Sequence, residues 1–123
     1  MKCIIAGSRS ITDYKILQDE VKKSGFDITE IVSGNASGVD KLGEQYAREH
    51  KILLKVMPAK WGKHGRSAGH IRNREMAEYV GKEGGLILIY DGKSPGSTSM
   101  LNIAKSLGLK IHVRIVDAKS TST

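Results

Sequence analysis

Five short apolar runs recur along the chain, at Lys2 to Ala6, Ile28 to Val32, Ile52 to Val56, Leu86 to Tyr90 and Lys110 to Val116. Each has the length of a strand. Between them lie apolar residues at helical spacing: Tyr14, Leu17 and Val21, then Val39, Leu42 and Tyr46, then Met100, Leu101, Ala104 and Leu107. Strands that alternate with helices imply a parallel sheet, and nearly continuous apolar runs are what such a sheet needs when helices cover both faces. The expected architecture is therefore α/β, three layers deep, with a five-stranded parallel sheet in the order 3-2-1-4-5, the simplest order that right-handed crossovers allow. A chain of 123 residues suits one such domain, placed at 1–117, followed by a small polar tail, 118–123, that is expected to fray.

In an open parallel sheet, ligands bind beyond the carboxyl ends of the strands, where loops lead into helix amino termini. Four loops qualify: GSRS at 7–10, SGNASGVD at 33–40, MPAKWGKHGRSAGH at 57–70 and DGKSPGST at 91–98. Three of them carry the glycine and serine content that lets backbone N–H groups approach an anion, helped by the positive end of the helix that follows. Gly34, Gly38 and Asp40 also have plainer explanations in turn geometry and the helix dipole, and one such loop alone is a weak signal. Three at one sheet edge favour a phosphate cradle. Ser8, Arg9, Ser33, Gly34, Gly38, Gly96, Ser97 and Thr98 are then expected to line one pocket. Valine at Gly34 or Gly96 should block it without harming the fold. Neither GxGxxG nor GxxxxGK[ST] occurs, so the dinucleotide and P-loop fingerprints are missing.

Charge sharpens the expectation. The chain carries a net charge of +7, most of its 13 acids fall between Asp13 and Glu49, and from Lys60 to Arg74 there is none. Cations around Trp61 in that stretch suit a phosphate-bearing partner. Trp61 either stacks on a base or covers the edge of the core. Ser67 or a neighbour should cap a helix holding Arg72, Asn73 and Arg74. Arg72 and Arg74 are two apart, so one faces the loops and the other solvent.

Other polar residues are read structurally. His64 and His70, six apart with no nearby acid or cysteine, make a poor metal site, and neither a metal nor a cofactor is assigned. His50 closes a helix and His112 alternates on a strand. Cys3, among isoleucines, belongs to the core. The start of the chain, MKCIIAGSRS, reads as a strand and not a signal peptide, and no run is long enough to cross a bilayer, so a cytoplasmic location is expected.

Together the motifs GSR, SGNASGVD, PAKWGKHGRSAGHIRN with REM, and DGKSPGSTSM resemble the small YspA-like branch of the SLOG superfamily. The resemblance implies a Rossmann-like fold, a nucleotide or an NAD- or ADP-ribose-derived ligand, a homo-oligomer with Trp61 or its helix near the interface, and a bacterial or phage setting. SLOG domains include LOG phosphoribohydrolases, DNA-processing protein A and sensor domains. The implied ligand-binding set is Gly7, Ser8, Arg9, Ser33, Gly34, Gly38, Asp40, Lys60, Trp61, Arg72, Asn73, Asp91, Ser94, Gly96, Ser97 and Thr98. LOG enzymes carry PGGxGTxxE after the fourth strand, and here the position of its glutamate is Met100. Asp91 and Asp40 are the remaining carboxylates at this edge, with Asp91, which opens the same loop, the nearer substitute. The expected function is a sensor or sequestering protein that binds such a ligand. The alternatives are an N-glycosidic or phosphoribohydrolase-like enzyme and a single-strand nucleic-acid binder. The last is disfavoured by an aromatic content of 5%.

Overall fold

The computed structural model describes residues 1–116, so the polar tail expected at 118–123 lies outside the described residues. In chain order the elements are β1 (Lys2–Gly7), α1 (Tyr14–Ser24), β2 (Glu30–Ser33), α2 (Val39–Glu49), β3 (Leu53–Val56), α3 (Trp61–His64), a 3-10 turn (Gly65–Ser67), α4 (Ala68–Val80), β4 (Gly85–Tyr90), α5 (Pro95–Ser106) and β5 (Lys110–Ile115). The five strands form one parallel sheet in the order β3-β2-β1-β4-β5, as the sequence pattern predicts.

Alternation along the central strands divides the core in two. Cys3, Ile5, Ile31, Ile87 and Ile89 face α1 and α2. Ile4, Ala6, Val32, Leu86 and Leu88 face α4 and α5. Cys3 is fully buried, and that burial pushes its thiol up to about 12, so it is inert core. Asp13 caps α1 by accepting the Lys15 N–H, and Gly25 ends the helix in the left-handed region at φ 67°.

The edge strands depart from the pattern of burial on both faces. β3 exposes Leu53 and Val56, and β5 exposes Val113 and Ile115. Two helices per face span the central three strands and leave the outer two half covered. On β5 the other face is polar and closed by an ion cluster: His112 and Arg114 reach the buried Glu20 of α1 at 2.8 and 2.6 Å. Burial pushes the Glu20 carboxyl up, but these hydrogen bonds outweigh it and hold the group below its ordinary value.

Gly7 sets the spacing where β1 runs out beside β4. A Cβ there would overlap the carbonyl of Ile89, which itself accepts the Ser8 N–H at 3.1 Å. Gly7→Ala must therefore push two core strands apart. We expect it to cost at least about 3 kcal/mol in urea unfolding, where an ordinary surface glycine costs under about 1.

Candidate functional site

A cleft of about 640 Å³ opens beyond the carboxyl ends of β1 and β4. The end of β1 contributes Gly7, Ser8 and Arg9, the amino end of α5 contributes Ser94, Gly96 and Ser97, and α4 contributes Arg72 and Asn73 from the opposite wall. Asp40 of α2 and Trp61 of α3 complete the part of the rim read from sequence. The floor is apolar, formed by Ala6, Met76 and Met100.

Other expected residues stand elsewhere. Gly34 lines a second hollow of about 300 Å³ beside the cleft, and Ser33, Gly38, Lys60, Asp91 and Thr98 line neither. Ser33 is fully buried, donating to Glu44 Oε2 at 2.7 Å and accepting the Asn35 N–H at 3.1 Å. Gly38 sits at φ 76° with no room for a Cβ against the backbone of Ser8 and Arg9. Thr98 returns its N–H to Ser94 O at 2.9 Å, and Lys60 is exposed just before α3. The 33–40 stretch, expected to display its backbone to an anion, turns that backbone inward instead: Ala36 N–H reaches Asp40 Oδ2 and Val39 N–H reaches Ser8 O.

The loop after β4 is tied to β1 through serines. Asp91 Oδ1 accepts the N–H groups of Lys93 and Ser94 and the Ser94 hydroxyl, all within 2.9 Å. These bonds, led by the Lys93 N–H, hold the Asp91 carboxyl below its ordinary value. Asp91 N–H donates to Ser8 Oγ at 3.1 Å, which leaves the Ser8 hydroxyl to donate to Ser94 Oγ at 3.2 Å. Asp91 thus organises a turn and is not aimed at the cleft. The same turn sets Pro95 at the first position of α5, where the missing N–H costs nothing, and leaves the Gly96 and Ser97 N–H groups without helical carbonyls.

Arg72 ties together three segments of the chain. Its Nη1 donates to Gly34 O at 2.6 Å and its Nε to Asn73 Oδ1 at 3.0 Å, while Asn73 Nδ2 donates to Gly96 O at 3.2 Å. The loop after β2, the body of α4 and the start of α5 are held by this one chain of bonds. Arg74 faces away and pairs with Glu78 at 3.6 Å, so the two arginines divide as their spacing requires. Ser67 occupies the residue before α4 but makes no side-chain cap bond. The segment 57–70, expected as a long loop, is largely α3 and the 3-10 turn that runs into α4.

Asp40 is 4% exposed. Burial pushes its carboxyl up from the model-peptide value of 3.8 to about 6, against the opposing pull of the Ala36 N–H and the nearby Arg72 guanidinium. Between those two values the folded protein holds a proton that the unfolded chain has released, so raising the pH removes stability. Relative to Asp40→Asn, the wild type should lose on the order of 2 to 3 kcal/mol between about pH 4 and pH 7 in denaturant titrations. Parallel curves for the two proteins would refute the assignment.

The mouth of the cleft also holds two residues that the expected ligand-binding set leaves out. His70 of α4 lies 3.0 Å from Ser99 of α5, ring Nδ1 to hydroxyl, and Arg66 of the 3-10 turn stands on the same rim. Trp61 is 53% exposed and belongs to neither core cluster, which removes the reading of it as a cover for the core's edge. Among the described residues no three His, Cys, Asp or Glu side chains converge as a metal site would need. Likewise, no described helix is long and apolar enough to cross a membrane.

The family described as YspA, cpYpsA-related SLOG has a model that matches residues 1–64. No curated protein and no solved structure matches the chain. The matched half runs from β1 through α3 and so includes the Ser8–Arg9 rim, the loop after β2, Asp40 and Trp61, while Arg72 and the start of α5 lie beyond it. With more than half of its length matched, and with the parallel sheet and edge cleft just described, this chain belongs to the YspA, cpYpsA-related SLOG family.

Proposed function

We propose that the protein binds a nucleotide-type small molecule in the cleft, as a sensor or sequestering module, with the phosphate at the amino end of α5. The observation that carries this reading is the convergence, in one cleft of about 640 Å³, of the first turn of α5 with Arg9, Arg66 and Arg72. Helix N–H groups and guanidinium forks are complementary to a phosphate, and the volume lies within the usual range for small-molecule sites. Among the described residues the only carboxylate in the wall, Asp40, is buried and already accepts the Ala36 N–H. Met76 and Met100 beneath offer an apolar surface to a base or sugar face. Family membership points the same way, towards nucleotide-related ligands.

The test is a thermal-shift panel of AMP, ADP, NAD and ADP-ribose, paired with mass spectrometry of small molecules released when the purified protein is denatured. A ligand at about 100 times its Kd should add roughly 2.7 kcal/mol of stability, a shift of several degrees for a domain of this size. A panel with no shift at millimolar concentration, and no nucleotide-type mass released, would overturn the reading. Light scattering at micromolar concentration checks the self-association implied by the family resemblance, for which a mass above that of the monomer is expected.

A further inference from the structure

β5 pairs with β4 alone among the described strands, and its other side forms the rim of the sheet. An open rim invites a further strand, and proteins blunt it with proline, short length, bulges or outward charge. β3, at the opposite rim, is blunted in this way: it has four residues, carries the exposed Lys55 and is followed by Pro58. β5 is a six-residue strand, KIHVRI, without proline. Lys110 stands at its start, and its other cations, His112 and Arg114, reach back to Glu20 of α1.

The backbone of β5 fixes which residues address that rim. Lys110 and Val116 donate their N–H groups to the carbonyls of Gly84 and Tyr90, at 3.0 and 2.8 Å. Backbone groups alternate between the two sides of a strand, so the N–H and C=O of Ile111, Val113 and Ile115 point outward. The side chains of the same three residues share one face, on which Ile111 packs against the core beneath α4 and α5. Val113 is 38% exposed and Ile115 60%. The pattern Ile-His-Val-Arg-Ile has the same apolar residues in either direction from Val113. A two-fold axis at Val113 would therefore set Val113 against its own copy and Ile111 against Ile115 of a second chain. Each of these pairs exchanges both N–H···O bonds, and every apolar side chain lands on one face. An axis at His112 or Arg114 would instead pair one of the isoleucines with a residue outside the strand.

We propose that β5 is a docking edge for a second copy of this chain, paired antiparallel across a two-fold axis at Val113 so that the two sheets become one. A two-fold contact must be self-complementary, and the symmetric run about Val113 supplies that property, which a foreign strand would not require. On the α1 face the axis brings His112 of one chain beside Arg114 of the other, and the Glu20 carboxylate of each chain offsets these charges. Trp61, near which the family resemblance implies an interface, follows β3 at the opposite rim, so this contact is a separate one. With the strands antiparallel, the two clefts open towards opposite ends of the joint sheet.

Sedimentation equilibrium on the full chain, over a range of protein concentrations, tests it together with cross-linking. The wild type should sediment as a dimer that dissociates on dilution. Val113→Lys sets two like charges face to face on the axis and should weaken the dimer at least about 100-fold, with the melting curve of the separated chains unchanged because the site is exposed. Ile115→Lys, at a still more exposed position, should weaken it as well and remains informative should Val113→Lys fail to fold. At the axis the two Cα atoms would stand about 5.5 Å apart, within the roughly 4.4–6.8 Å that a disulfide spans. Cys3 is fully buried, so under mild oxidation Val113→Cys should cross-link to its own copy far faster than Leu53→Cys on the opposite rim. A wild type that stays monomeric at every concentration would overturn the proposal. So would equal cross-linking at the two rims, or a dimer that survives both lysine variants, whether or not Trp61→Ala breaks it.

Discussion

Gly96→Val is expected to fold as the wild type does and to bind nucleotide at least about 100-fold more weakly, a loss of the size that follows when charge-assisted hydrogen bonds to a phosphate are blocked. Gly96 is exposed in the first turn of α5, and a Cβ there would meet nothing within 4 Å. The fold therefore tolerates a branched side chain, whose methyl groups would stand over the free N–H groups that a phosphate needs. Gly34→Val serves as the contrast. A Cβ at Gly34 would run into the Arg72 guanidinium and come within 2.8 Å of Asp40 Oδ2, so this change should lower the melting temperature as well as the affinity. Chemical denaturation and calorimetry on the two variants separate the cases. If Gly96→Val binds as the wild type does, the amino end of α5 is a turn and nothing more, and the phosphate reading fails. If Gly34→Val melts normally, the Arg72 anchor is weaker than its 2.6 Å bond to Gly34 O implies.

The contrast between these two glycines marks where sequence reading stops. Both look like cradle residues in a string of letters, because each sits in a Gly/Ser-rich loop before a helix. Only tertiary placement reveals that Gly34 is a packing position under Arg72 while Gly96 faces open space. The strand order, the two core faces and the division of Arg72 from Arg74 were legible because they follow from periodicity, which is local. The exposure of Leu53 and Ile115 was not, since an apolar run looks the same at the edge of a sheet as at its centre. Segment 57–70 misled for a related reason: its three glycines and Pro58 disfavour helix by propensity, yet α3 and the 3-10 turn form where α4 needs an entry. The His70–Ser99 pair joins residues 29 apart on facing helices, and the second hollow joins loops after three different strands. Such meetings are set by topology, and no spacing within one loop announces them. Buried Glu20 is the polar counterpart, a helix carboxylate whose partners His112 and Arg114 arrive from the last strand.

The same placement decides what to expect of catalysis. Incubated with ribonucleotides, deoxyribonucleotides, NAD and ADP-ribose, the wild type should return every compound intact, with no free base by chromatography. Cleavage of an N-glycosidic bond passes through an oxocarbenium-like state that a carboxylate must stabilise or trap. At the position where the resemblance places that glutamate stands Met100, 1% exposed and part of the cleft floor, and a thioether has neither charge nor proton to offer. Asp91, the nearer substitute in sequence, is bound into its own turn by three hydrogen bonds and lies outside the cleft lining. Asp40 is the one carboxylate in the wall among the described residues, and with burial pushing its carboxyl up to about 6 it would suit acid–base work at neutral pH better than an ordinary aspartate. Base release that disappears in Asp40→Asn, while ligand affinity stays within about twofold, would therefore overturn the binding-only reading and make this an enzyme with its acid relocated to α2. Release that survives Asp40→Asn but is lost in Asp91→Asn would mean that the turn after β4 opens in solution. An intact ligand in every reaction, held tightly by the wild type and lost from Arg72→Ala, is the outcome that a cleft with three arginines and a methionine floor leads us to expect.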